Sequence, residues 1–250
     1  MTDGTVLRIY RYPVKSMGGE EVERAYVGAD GLQGDRAYAV LDLETGTAAS
    51  AKNIARFSRL LEVKATLTED GLSLMFPDGK KCGLPDAAGL LTAYLGRRVI
   101  LVNNEGRPLT YQGLEVSYEP HSTAYFEKQG VTRAGSFHDS APVHIMPAET
   151  LSTHGFEMDE VCRFRPNIVI DFGGELKAGT FLEAGGVVFK VLKPTKRCVM
   201  VVLPQQSLDY KPELLKNLRQ LHGGVAGVYA EVVREGWVSR GDRIRIYSSP

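Results

Sequence analysis

Short runs of alternating or continuous apolar residues, about four to eight positions long, recur along the chain; these are the patterns of half-buried and fully buried strands. The first are TVLRIYRYPV, AYAVLDLETGT with a turn at Glu44-Thr45-Gly46, and LLEVKATLTEDGLSLMFPDGK with turns at Asp70-Gly71 and Pro77-Asp78-Gly79. Later come RRVILVN, PNIVIDF, GGVVFKVLK, RCVMVVLP, VAGVYAEVV and DRIRIY. Helical spacing is confined to Ala88 to Leu95, to Ala148 to His154 after Pro147, and to Pro212 to Leu221, where Leu214, Leu215, Leu218 and Leu221 share a face. Many short strands with Gly-rich turns predict a mostly β, barrel-like fold decorated by a few short helices. Between Asn103 and Gly135 the pattern weakens into a polar, turn-rich stretch, so the chain is predicted to divide into residues 1–115 and 116–250.

With 250 residues, 43% hydrophobic and 24% charged, the chain can bury a large core without staples. Lys plus Arg equals Asp plus Glu at 30 each, so no overall field attracts nucleic acid or anionic lipid, and any anion site has to be local. The cysteines Cys82, Cys162 and Cys198 are odd in number and lack a Cys-x-x-Cys spacing, which argues against a disulfide framework, a structural zinc or an iron–sulfur cluster. MTDGTVLRIYRYPVKS has no signal-peptide pattern and no run of about 18 apolar residues occurs, so a cytoplasmic protein that does not span a membrane is expected.

VGADGLQGDR contains Gly28, Gly31 and Gly34 but neither a dinucleotide fingerprint nor a phosphate loop; these read as turn glycines. His121, His138, His144, His154 and His222 show no pair at metal-ligand spacing, and no Ser stands in a Gly-x-Ser-x-Gly elbow. In KPTKRCVMVVLP, Cys198 admits two readings. It is either core packing in an apolar strand, or a reactive thiol at a strand mouth after a KPTKR loop, with Lys196 and Arg197 favouring its thiolate. Cys82 and Cys162 lack that setting and read as structural or incidental. The cations Lys15 (beside Ser16), Arg36, Arg163, Arg165, Lys196 and Arg197 stand at the edges of strand-like runs; they are either solvated surface charges or the clamp of a phosphate-bearing ligand.

YPVKS, then GL..DR, RPNIVI and RC opening an apolar run, in that order, resemble a MOSC N-terminal β-barrel domain followed by a MOSC domain, as in the mitochondrial amidoxime-reducing component and its bacterial relatives. The likeness covers nearly the whole chain and assigns 1–115 to the first domain and 116–250 to the second. It implies a molybdenum–molybdopterin cofactor, with no pyridoxal phosphate, whose metal is held by the pterin dithiolene and Cys198. It also implies that Lys15, Ser16, Arg36, Arg165 and Asn167 hold the pterin and its phosphate, with Arg197, Tyr229 and Ser140 close by, and that Asp139 lies near the metal as a proton relay. Two departures stand out: Ala141 replaces a hydroxyl, and Lys196 replaces a Ser before the Arg-Cys pair.

The activity so implied is reduction of N-hydroxylated or N-oxide compounds, such as amidoximes and hydroxylamines, by oxygen transfer to molybdenum. No ferredoxin-like extension is expected within these 250 residues, so electrons would come from a separate ferredoxin, flavoprotein or cytochrome b5-like donor. The alternatives are a cofactor or sulfur carrier with a persulfide on Cys198, and a β-barrel binding module in which Cys198 is filler.

Overall fold

The first strand, Asp3–Arg11, belongs to the C-terminal half of the molecule although it begins the chain. The structure is a computed structural model, and it describes residues 3–104, 106–116, 125–153 and 155–248. Asp3–Arg11 pairs antiparallel with Ile168–Asp171 on one side and Arg243–Tyr247 on the other, and so closes a seven-stranded barrel. Around the ring the order continues from Ile168–Asp171 through Val143–Pro147, Val225–Arg234, Val187–Lys196 and Phe181–Ala184 to Arg243–Tyr247. Every pairing is antiparallel except that of Val143–Pro147 with Ile168–Asp171. Closure leaves no free edge, and the inward residues Val6, Ile9, Val143, Ile145, Ile168, Ile170, Phe189 and Ile244 form a continuous apolar core.

Residues 38–116 and 125–131 build a second unit. One sheet runs in the order Val99–Asn103, Tyr38–Asp42, Thr47–Ala48, Thr110–Val116, Tyr125–Val131, beside a three-stranded meander of Lys64–Thr68, Gly71–Met75 and Lys81–Gly83. Its core packs Val40, Leu60, Leu74 and Val99 against the helix Leu84–Leu95. A small sheet, Gly236–Ser239 with Arg24–Gly28 and Gly31–Leu32, packs on the barrel core through Ala25, Val27, Leu32 and Val238. Gly31 in that sheet has φ +106°, and a Cβ there would lie 2.4 Å from the Pro142 carbonyl oxygen, so the turn reading of this glycine holds and close approach adds to it.

The mostly β, barrel-like expectation is met, and the hairpin turns fall where the sequence predicts them. Two local readings are corrected. The RCVMVVLP run is no strand: Val199–Val202 is a 3-10 turn buried all round, while KPTK, expected as a loop, ends the strand Val187–Lys196. A continuous apolar run carries no period that separates a strand from a buried turn. The weak stretch from Asn103 to Gly135 contains two paired strands, Thr110–Val116 and Tyr125–Val131. The predicted boundary at 115/116 falls next to residues 117–124, which lie outside the described residues, as does His154 at the end of the predicted helix now seen as Glu149–Thr153. No helix among the described residues is long and apolar enough to cross a membrane.

Ile9 is fully buried and opposite Ile168, where the barrel closes. Ile9→Ala is expected to lower unfolding free energy by about 2–5 kcal/mol through cavity formation, whereas Leu43→Ala, at a position 47% exposed, should change it by less than about 0.5 kcal/mol. Urea unfolding of the two variants checks the contrast.

Candidate functional site

Residues from both halves line one cleft of about 920 Å³. Lys15, Ser16, Arg36, Asp139, Ser140, Arg165, Asn167, Arg197, Cys198 and Tyr229, all nominated from sequence, face this single space. Arg163, weighed as a cation at a strand edge, does not; it is fully buried and its guanidinium donates to the carbonyls of Val201, Leu203 and Asp209.

The backbone at the cleft is held in a conformation L-residues rarely adopt. Among the described residues, four non-glycines have positive φ, and three of them line the cleft: Ser16 (65°), Arg36 (48°) and Arg165 (53°). Each such position costs on the order of 1–3 kcal/mol, so the surroundings have to fix it. The Arg36 N–H donates to the Tyr12 carbonyl (2.8 Å) and the Arg36 carbonyl accepts from the Phe137 N–H (2.9 Å). The Ser16 hydroxyl oxygen accepts from the Ala51 N–H (3.1 Å), which leaves its proton available to a ligand.

Behind these residues runs a buried network that spans the two halves. The Asp35 carboxylate accepts from the Tyr12 N–H (2.7 Å), the Asn167 amide (2.9 Å) and His138 Nε2 (2.9 Å), and it pairs with Arg36. His138 Nδ1 meets the Ser136 hydroxyl at 2.6 Å. Burial opposes ionisation of Asp35, but the Arg36 charge and these donors outweigh it and hold the carboxyl far below the usual range. Burial keeps His138 neutral by pushing its pKa down against the pull of Asp35. The Asn167 amide donates to Tyr10 and Asp35 while its oxygen accepts from the His144 N–H (3.1 Å), so Asn167 acts as a clamp between strands at the cleft floor.

Arg36 and Arg165 both lie against the Tyr12 ring, 4.5 and 4.3 Å from its centroid. Burial, and then the neighbouring Arg36 charge, lower the Arg165 pKa to about 10. Further along, Asp139 pairs with Lys15 and, at 2.9 Å, with Lys52. Burial resists ionisation of Asp139, yet the two ammonium charges overcome it, and the carboxyl titrates well below the ordinary range. Burial lowers the Lys15 pKa against the pull of Asp139; Lys52 is shifted up because the Asp139 and Cys198 charges outweigh its desolvation. Both ammonium groups lie over the Tyr111 ring, at 4.4 and 5.3 Å.

Cys198 is half-buried at the end of Val187–Lys196, just before the 3-10 turn, where the chain leaves the barrel wall. Arg197 beside it is buried; its guanidinium donates to the Phe164 carbonyl (2.7 Å), while its Nε is buried with no protein partner. His144, packed beneath, makes its shorter contact through Nε2 to the Ala226 carbonyl (3.1 Å), and burial followed by the Arg197 charge lowers its pKa to about 3. Burial raises the pKa of Tyr229, with the Arg197 and Lys52 charges pulling the other way. Burial likewise pushes the Cys82 and Cys162 thiols up, in keeping with their reading as structural.

Among the described residues the lining thus gathers Lys15, Arg36, Lys52, Lys128, Arg165, Lys193, Lys196 and Arg197 against one carboxylate, Asp139, in a chain of zero net charge. Such a cleft is a local anion site. Among the described residues no group of three or more His, Cys, Asp or Glu could hold a metal ion. A metal at Cys198 would therefore bring its other ligands with it, and a chelating cofactor with a phosphate tail fits this donor set: one soft thiolate, a buried unpartnered Arg197 Nε beside it, and a cationic cradle beyond.

Sequence reasoning missed Tyr12, Asp35, Lys52, His138 and His144. Tyr12 and Asp35 adjoin nominated residues in YPVKS and GDR and were legible as neighbours. Lys52 stands in SAKNI, where nothing marks it; His144 is brought to the cleft by strand pairing, and His138 by the loop that precedes Val143–Pro147.

A family model for the MOSC N-terminal beta barrel domain matches residues 3–89, and one for the MOSC domain matches residues 132–245. The chain is a MOSC-domain protein. Among curated relatives, "Molybdenum cofactor sulfurase" of Drosophila melanogaster is 26% identical over 245 residues, covering 88% of this chain and 30% of that protein. The protein of the same name from Drosophila grimshawi is 28% identical over 243 residues, again with 88% and 30% coverage. This MOSC-domain chain thus spans about 30% of the length of the curated relatives it matches. Among solved structures, the YUAD protein from Bacillus subtilis superposes with a TM-score of 0.49 at 13% identity, covering 99% of this chain and 97% of that one.

His144 supplies a test by pH. Its folded pKa of about 3 lies below the ordinary 6.5, so on acidification the unfolded chain takes up the proton first and stability falls as pH drops from about 6.5 towards 3. His144→Gln, whose amide can donate to Ala226, removes this term. Between pH 7 and pH 4 the wild type is expected to lose about 2–4 kcal/mol more unfolding free energy than the variant, measured by urea unfolding at each pH; parallel losses would refute the assignment.

Proposed function

We propose that this chain binds the molybdenum cofactor in the cleft and uses it to reduce N-hydroxylated or N-oxide compounds, amidoximes and hydroxylamines among them. The observation that carries the reading is the pairing of one accessible thiol, Cys198, with a cation-lined cleft that holds no second set of protein metal ligands among the described residues. When bound, the cofactor supplies the redox chemistry that removes oxygen from the N–O group.

The chain's own residues divide the remaining work. Arg36, Arg165, Lys15 and the Ser16 hydroxyl hold the phosphate and pterin, with Asp35 and Asn167 fixing where Arg36 stands. Cys198 holds the metal as thiolate, with Arg197, Ser140 and Tyr229 alongside. Asp139 stays ionised between Lys15 and Lys52, so at neutral pH it orients those ammonium groups, and the transferable protons reside on Lys15 Nζ and Lys52 Nζ. Two electrons per turnover come from a separate protein donor of ferredoxin, flavoprotein or cytochrome b5 type.

One observation favours a second reading. The curated relatives carry the name molybdenum cofactor sulfurase, and a chain of that kind would carry sulfur as a persulfide on Cys198 for another enzyme. One experiment separates the two: metal and pterin analysis of wild type and Cys198→Ser from a cofactor-competent host, paired with benzamidoxime reduction by an artificial donor. Near-stoichiometric molybdenum and turnover in the wild type, both lost in the variant, are expected. A wild type without molybdenum contradicts the reductase reading, and a Cys198 persulfide without turnover establishes the carrier.

A further inference from the structure

The cofactor, placed as above, leaves part of the cleft's charge without a task. Its phosphate end belongs with Arg36 and Arg165 at the Tyr12 ring, and its metal end with Cys198. Lys193 and Lys196 lie on the strand that leads into Cys198 and line the same cleft, both exposed. Two residues of extended chain span at most about 7 Å, so the Lys196 backbone is next to the thiol.

These lysines face the cleft because the strand is irregular. Val187–Lys196 slips register against Val225–Arg234 between Val191 and Lys193 and again between Pro194 and Lys196. In a regular strand, neighbours point to opposite faces. Here the consecutive residues Lys193 and Pro194 both line the cleft, and Lys193 registers against Tyr229 and Lys196 against Val225, two further lining residues. Bulges of this kind re-aim side chains beside sites. Among the described residues of the lining, the one carboxylate, Asp139, is paired with Lys15 and Lys52.

We infer that the mouth beside Cys198 selects an anionic substrate, an N-oxygenated compound bearing a carboxylate or phosphate, with Lys193 and Lys196 as its specificity-determining residues. The inference rests on the reductase reading for the word substrate and on the lysine placement for the word anionic. Exposed lysine–carboxylate attraction is modest and screened by salt, which sets the size of the effect at about two- to fivefold in affinity per lysine.

The test compares benzamidoxime, which is neutral, with 4-carboxybenzamidoxime on cofactor-loaded wild type, Lys193→Gln and Lys196→Gln, measuring dissociation constants by calorimetry and turnover in the same samples. The wild type is expected to bind the carboxylate about fivefold or more tightly at low ionic strength. That ratio should fall about two- to fivefold in each variant, and it should shrink in the wild type as salt is raised. Equal affinities in the wild type, or a preference that survives both variants, would overturn the inference while leaving the reductase reading in place. Preferential carboxylate binding without reduction of either compound would defeat the reductase reading instead. Variants that alter only the reaction with an acidic protein donor, with the substrate ratio intact, would make the mouth a docking surface and also overturn the inference.

Discussion

Arg36 and Arg165 come from opposite halves of the chain, yet both guanidiniums are held within 4.5 Å of the Tyr12 ring centroid, and both have left-handed backbone. Burial, and then repulsion from the neighbouring Arg36 charge, is why the Arg165 pKa sits near 10. Three things offset the repulsion: the aromatic face, the buried Asp35 carboxylate on Arg36, and the Met17 carbonyl that accepts from Arg165. Among the described residues only Arg36 has a carboxylate partner, so the arrangement carries excess positive charge ready for an anion.

The arrangement exists because the first strand is shared. Asp3–Arg11 closes the seven-stranded barrel, and the residues that follow it, Tyr12 to Ser16, cross directly to the N-terminal sheets. The cleft therefore forms at a seam between two cores, and its walls are strand ends and short turns anchored by buried apolar residues. Such a platform supports the strained conformations at Ser16, Arg36 and Arg165, which a mobile loop would relax. Asp35 and Asn167 bridge the seam with hydrogen bonds, coupling Arg36 to the barrel floor.

Much of this was legible in the chain because strands and turns announce themselves locally. Alternation located Asp3–Arg11 and Arg243–Tyr247, and Gly-containing turns located the hairpins. The ordered motifs YPVKS, GDR, RPN and RC brought forward the cleft residues, since each is a strand end. Legibility failed where tertiary context decides. Val199–Val202 is apolar on every side and so carries no period, and its 3-10 turn follows from burial against Leu214 and Leu218. The strand Thr110–Val116 lies inside its sheet, and its mixed pattern includes Tyr111, which meets Lys15 and Lys52 in the cleft. Lys52 and His144 carry no motif, and only the fold brings them to Asp139 and Arg197.

Cys198 changes meaning in this setting. It does not start a strand; half-buried against the apolar core, it is the residue at which the barrel wall turns inward beside a buried Arg197 Nε that has no partner among the described residues. Central to the proposed function is that the paired guanidiniums receive a phosphate-bearing anion. Its most direct measurement is the thermal unfolding midpoint of cofactor-free protein with inorganic pyrophosphate against sodium chloride of equal ionic strength, for wild type and Arg165→Gln. A midpoint that rises with pyrophosphate in the wild type and not in the variant is the predicted result; no rise beyond the salt control, or an equal rise in both, would contradict it.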